Sequence, residues 1–176
     1  YQLSYKLNII IFKYIMKLKD FIKDESGKSL ALFSKKKFEF TASLIKELKE
    51  YYKKNNKEIR ICMHSSKKSN LQVMVNLIIL KKNYQVHYHK YSSEYYFPLD
   101  GKIRLVTFND KNKFKDYLDI DGKKNLVGKI LKGERHVAVP TKKYCIYLEF
   151  RSGNFFQHKN IFLNKFVKSN EILSLK

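Results

Sequence analysis

The spacing of β-rich runs constrains this chain more than any other feature. From about Ile59 to Phe150, short apolar and β-branched segments alternate with turn formers, leaving no stretch long enough for a crossover helix. The runs Arg60–His64, Leu71–Leu80, Tyr84–His89, Glu94–Leu99, Lys102–Phe108, Phe114–Ile120, Leu126–Leu131, His136–Val139 and Lys143–Phe150 read as strands. Turns fall at Asp100-Gly101, Asn109-Asp110-Lys111-Asn112, Asp121-Gly122 and Ser152-Gly153. Parallel neighbours need connections of about a dozen residues or more, which are missing here. The expected fold class is therefore mainly β, an antiparallel barrel or jelly roll.

Before this region the texture is helical or mixed. Thr41 is placed to cap a helix whose apolar face carries Leu44, Ile45, Leu48 and Tyr51, and Lys53-Lys54-Asn55-Asn56-Lys57 breaks it. Residues 1–57 then form a partly helical N-terminal extension, 58–157 the β domain, and 158–176 a tail read as a short helix from the spacing of Phe162, Phe166 and Val167. Tyr1–Ile15 is apolar with interspersed lysines and has no small-residue cleavage site. Met16 reads as a natural beginning, so residues 1–15 are expected to be upstream translated sequence or a fragment edge. No apolar run approaches the roughly 20 residues of a membrane span. Cys62 and Cys145 form no paired metal motif, and two lone thiols fit a reducing cytoplasm.

Charge is pronounced: 37 Lys and Arg against 16 Asp and Glu, a net +21. Only Arg60, Arg104, Arg135 and Arg151 are arginines, whereas proteins that read nucleic acid use arginine forks as well as point charges. Lysines scattered among abundant Asn, Ile, Phe and Tyr fit a solvated basic surface, and nucleic-acid binding ranks third among the readings. The same surface favours anionic small molecules.

Chemistry concentrates in Val86-His87-Tyr88-His89-Lys90-Tyr91-Ser92-Ser93-Glu94, with Gly101 beyond. Strand side chains alternate, so His87 and His89 share a face, and Glu94 opens the next strand close by. Two imidazoles and a carboxylate inside one barrel make three ligands of a divalent metal site. His136, after the turn at Gly133, is a fourth. Cys62 and His64 share one strand face, as do Cys145, Tyr147 and Glu149; core or rim packing competes with a pocket role for each.

This string resembles the first signature motif of the cupin superfamily, and Gly133-x-x-His136 resembles its second motif. The closer resemblance is to the WbuC family of cupin-fold metalloproteins, found among genes for O-antigen and related surface polysaccharides. It runs through Arg60-Ile61-Cys62-Met63-His64, Gln72-Val73-Met74, Leu105-Val106-Thr107-Phe108-Asn109-Asp110 and Glu149-Phe150-Arg151-Ser152-Gly153-Asn154-Phe155, over roughly residues 58–160. The chain departs from the pattern at Leu131 and Asn154, where prolines are usual, and at Arg135, where an aromatic is usual. The resemblance implies a cupin-type antiparallel jelly-roll barrel. It also implies His87, His89, Glu94 and His136 as ligands of Zn, Fe, Mn or Ni.

Two functions follow from the resemblance. One is a metal-dependent isomerase or epimerase of a sugar or nucleotide sugar in surface-polysaccharide biosynthesis, with His64, Tyr147 and Glu149 as proton carriers. The other is a non-catalytic, metal-stabilised module that binds a small anionic sugar derivative. A homodimer is expected by analogy with cupins.

Overall fold

The computed structural model describes residues 17–24, 30–33, 39–156 and 160–175. Tyr1–Ile15, with the expectation attached to it, lies outside these. Among the described residues, twelve strands form two sheets. β1 (Ile22–Asp24) and β2 (Leu30–Phe33) are followed by helix α1 (Ala42–Asn55), then β3 (Ile59–Cys62), β4 (Leu71–Ile79), β5 (Asn83–Tyr88), β6 (Glu94–Asp100) and β7 (Ile103–Phe108). The chain continues through β8 (Phe114–Ile120), β9 (Gly128–Ile130), β10 (Arg135–Pro140), β11 (Tyr144–Ser152), β12 (Ile161–Lys168) and helix α2 (Ser169–Leu173).

One sheet has the order β1-β2-β3-β4-β11-β6-β9 and the other β12-β5-β10-β7-β8. Successive strands from β4 to β11 swap between sheets, except at the β7–β8 hairpin, and come to lie as β4-β11-β6-β9 facing β5-β10-β7-β8. That order is a jelly roll. The mainly β fold and its N-terminal helical extension are as the sequence implied, and all nine expected strands are present. Every strand pair is antiparallel except β2 with β3, which is parallel because α1 supplies the crossover.

Each sheet buries part of its outer face as well as its inner one. On the outer face of the first sheet, Leu44 and Leu48 of α1 pack with Phe21, Leu32, Ile59, Ile61, Val75, Leu77 and Ile146. Thr41 stands at the N-cap of α1 without a side-chain cap bond, and its buried Oγ1 has no hydrogen-bond partner. The outer face of the second sheet carries Val86, Val106, Val137, Val139 and Val167, which cluster with Ile172 of α2. A third cluster, with Ile103, Leu105, Ile120, Ile130 and Cys145, fills one end of the space between the sheets. Gly128 is required there, since an added Cβ would sit 1.9 Å from Ile120 Cδ1.

The tail departs from expectation. Phe162, Phe166 and Val167 lie on β12, and among the described residues of the tail only Ser169–Leu173 is helical. A four-residue spacing satisfies a strand's period of two as well as a helical turn, and here pairing with β5 decided the outcome. Arg104 then fixes the end of the chain. Its Nη1 donates to the carbonyls of Ile172 (2.9 Å) and Leu175 (3.0 Å), while Nε and Nη2 grip Asp119 at 2.7 and 2.8 Å. Among the described residues no helix is long and apolar enough to cross a membrane.

Candidate metal centre

The histidines meet because two strands are neighbours. His136 on β10 pairs directly with His87 on β5, and their ring centroids are 4.4 Å apart. His89 follows β5 on the same face, 5.4 Å from His87 and 5.6 Å from His136 between centroids. One ligand atom from each of the three imidazoles lies within 4.8 Å of the others. Glu94 reaches them from the opposite sheet: Oε1 is 2.8 Å from His89 Nε2, and Oε2 is 3.0 Å from His136 Nε2. The two loops that flank the cluster are bonded together. Gly133, at φ +76°, donates its N–H to the His89 carbonyl at 2.7 Å, and Lys132 N–H donates to Ser93 Oγ. Only a residue tolerant of positive φ makes this turn without strain.

This donor set fits a divalent ion. His136 Nδ1 lies 2.9 Å from the Glu134 carbonyl, which puts a proton on Nδ1 and leaves Nε2 as the inward-facing nitrogen that a metal would take in place of a proton. That fully buried Nε2 is close to Glu94 yet off the line a hydrogen bond needs, so it has no aligned partner. Three imidazoles and a carboxylate suit a borderline divalent metal.

Electrostatics divide the cluster. Desolvation, helped by His136, pushes His87 down to about 3, so it is neutral and able to ligate. For Glu94 desolvation opposes ionisation, but the neighbouring His136 and His89 outweigh it and hold its carboxyl well below the usual range. His136 is raised: desolvation again opposes, and Glu94 wins. Glu149 goes the other way. Burial, and then the charge of Glu94, push its carboxyl up to about 7.

A cavity of about 340 Å³ opens beside the cluster, lined by His87 and Glu94 together with Arg60, Tyr147, Glu149 and Arg151. Glu149 Oε2 accepts from Asn76 Nδ2 at 2.8 Å and lies 3.5 Å from the Tyr147 hydroxyl. Of the three expected proton carriers, Tyr147 and Glu149 are thus brought to the cavity. His64 is not among the lining residues. Its Nδ1 accepts from Val73 N–H at 3.1 Å, and its ring packs edge-on against Phe33. Cys62 and Cys145 are buried packing residues whose thiols burial pushes to about 12.

Sequence reasoning left Arg151 and Tyr96 without a role. Tyr96 donates to Glu94 Oε2 at 2.6 Å, and Arg151 Nη1 lies 3.2 Å from His89 Nδ1 and 3.5 Å from Glu94 Oε1. Each stands two residues from an assigned position, Glu94 and Glu149, so strand alternation alone points them inward. Three of the four arginines are turned to internal partners, Arg104 to Asp119, Arg135 to Asn112 and Arg151 to Glu94, which leaves most of the exposed positive surface to lysine.

A family model for a domain of unknown function, DUF6016, matches residues 40–120, just under half of the chain and short of His136 and Arg151. No curated protein matches. Among solved structures, the chain is similar to oxalate decarboxylase from Bacillus subtilis (TM-score 0.44, 14% identity, 55% of this chain), and spans only 24% of that protein's length. It is similar to the capsular polysaccharide assembling protein CapF from Staphylococcus aureus (TM-score 0.46, 20% identity, 52% of this chain and 26% of that one). It is also similar to an uncharacterized conserved protein with a double-stranded beta-helix domain from Klebsiella pneumoniae (TM-score 0.47, 13% identity, 63% and 88%).

Proposed function

We propose that this chain is a metal-dependent enzyme acting on a small sugar derivative, by proton transfer of the isomerase or epimerase type. The observation that carries the reading is the meeting of three imidazoles, with ligand atoms within 4.8 Å of one another, beside a lined cavity. His87, His89 and His136, with Glu94, would hold the ion, and Zn, Fe, Mn or Ni in that site would supply Lewis-acid polarisation of a bound oxygen group.

The chain's own residues support proton chemistry. Glu149, titrating at about 7, is poised both to accept and to return a proton at its carboxyl oxygen near neutral pH. Asn76 fixes the orientation of that carboxyl, and Tyr147 shares its Oε2. Tyr96 and Arg151 hold Glu94 in place from two sides. Sugar as the substrate class, and surface-polysaccharide biosynthesis as the setting, come from the resemblance to the WbuC family.

The test is incubation of the metal-loaded chain with a panel of sugars and nucleotide sugars in D₂O, followed by NMR. Deuterium entering a carbon position in at least one of them, with Glu149→Gln abolishing it at unchanged metal content, is expected. No exchange with any compound, alongside metal-dependent binding of one of them, would replace the enzyme with the non-catalytic binding module.

A further inference from the structure

The cavity also contains two guanidinium groups that the metal cluster does not account for. Arg151 is 3% exposed, and its contacts to His89, Glu94 and Asn160 all run through Nη1. Its buried Nε has no hydrogen-bond partner. Arg60, on the inner face of β3, is in the same position. Its Nη1 lies 3.9 Å from the weak acceptor Met74 Sδ, and its buried Nε likewise has no hydrogen-bond partner. Among the described residues Arg60 makes no salt bridge. Leaving a buried donor on a cation unmet is costly, and both residues line the one cavity.

We propose that Arg60 and Arg151 form an anion subsite that takes the carboxylate of a small organic acid, about the size of a single sugar ring, alongside the metal cluster. This deepens the reading above, since it names the substrate class of that site.

Geometry favours a carboxylate. The guanidinium fork presents parallel N–H groups that match two coplanar oxygens, and Arg151 keeps the Nε side of its fork unspent. Charge agrees in sign, since two guanidinium groups on one cavity favour an anion over a neutral sugar. Size agrees as well. At about 30 Å³ for each water, the cavity of about 340 Å³ has room for roughly a dozen heavy atoms. A hexuronic acid fills it.

The experiment titrates the full chain with glucuronate, glucose and inorganic phosphate, followed by NMR line positions. Chelator-treated and metal-loaded samples run in parallel, with metal content measured on each. Glucuronate is expected to bind at least tenfold more tightly than glucose, and to weaken at least tenfold in Arg60→Gln with metal content unchanged. Arg60→Lys, which keeps the charge and loses the fork, is expected to fall between the two. Because Arg60 touches none of the four proposed ligands, loss of glucuronate binding with metal retained separates this subsite from the metal reading. Should the chain bind no metal, glucuronate binding in the chelator-treated sample still decides the subsite on its own. Equal binding of glucose and glucuronate, or no change in Arg60→Gln, would overturn the proposal. Phosphate binding as tight as glucuronate would overturn the choice of carboxylate.

Discussion

Replacing Glu149 with glutamine removes a carboxyl whose ionisation the fold disfavours, and keeps an oxygen to accept from Asn76 Nδ2. In the metal-free chain that carboxyl titrates at about 7, against 4.5 for an unperturbed glutamate. A carboxyl raised in this way contributes stability that is complete below pH 4.5 and is lost as pH rises through about 7, because the folded state then binds the extra proton. At about 1.4 kcal/mol per pH unit between the two values, ionisation costs the fold about 3 kcal/mol. The amide pays none of this. Glu149→Gln should therefore match the wild type near pH 4 and exceed it by about 3 kcal/mol above pH 8, a rise in Tm of roughly 6–12 °C for a chain of this size. Urea unfolding of chelator-treated protein at four or five pH values measures the difference directly. Comparing the two proteins cancels His87, whose depressed value of about 3 acts in the opposite sense. A variant that is less stable at pH 8, or an offset that ignores pH, would refute the desolvated carboxyl and with it the proton carrier.

Two other positions test the frame around the site. Arg104→Ala should cost about 3 kcal/mol by stripping Asp119 and the carbonyls of Ile172 and Leu175 of their charged partner. Hydrogen exchange should speed up selectively over Ser169–Leu175. Arg104 holds the Asp119 carboxyl below its ordinary 3.8, so the wild-type clamp should persist at pH 4 and release only as pH falls through that depressed value. Gly128→Ala forces a Cβ to 1.9 Å from Ile120 Cδ1 and 2.8 Å from Leu105 Cδ1. With both side chains buried, overpacking should cost about 1–3 kcal/mol by thermal unfolding, and an unchanged Tm would contradict the packing between the sheets.

Much of this was legible in the sequence because a jelly roll is built from short local runs. Alternation and turn residues delimit β3 to β11 without any knowledge of their partners. The same alternation put His87 and His89 on one face, and Gly133 marked the turn that delivers His136. What stayed hidden depends on pairing. Phe162 and Phe166 fit a helix or a strand equally well until β5 is known to lie beside them. Leu30–Phe33 shows no period, being apolar throughout, and only the parallel contact with β3 makes it a strand. Arg151 meets Glu94 because β11 and β6 register those two residues opposite each other, a fact no single strand contains.

The central claim is that His87, His89 and His136, joined by Glu94, hold one cation between the sheets. Elemental analysis of the natively expressed chain, set beside His136→Ala checked for folding by circular dichroism, tests it most directly. One equivalent of a transition metal per chain, lost in the folded variant, is the predicted result. A wild type without stoichiometric metal, or a variant that keeps it in full, would contradict it.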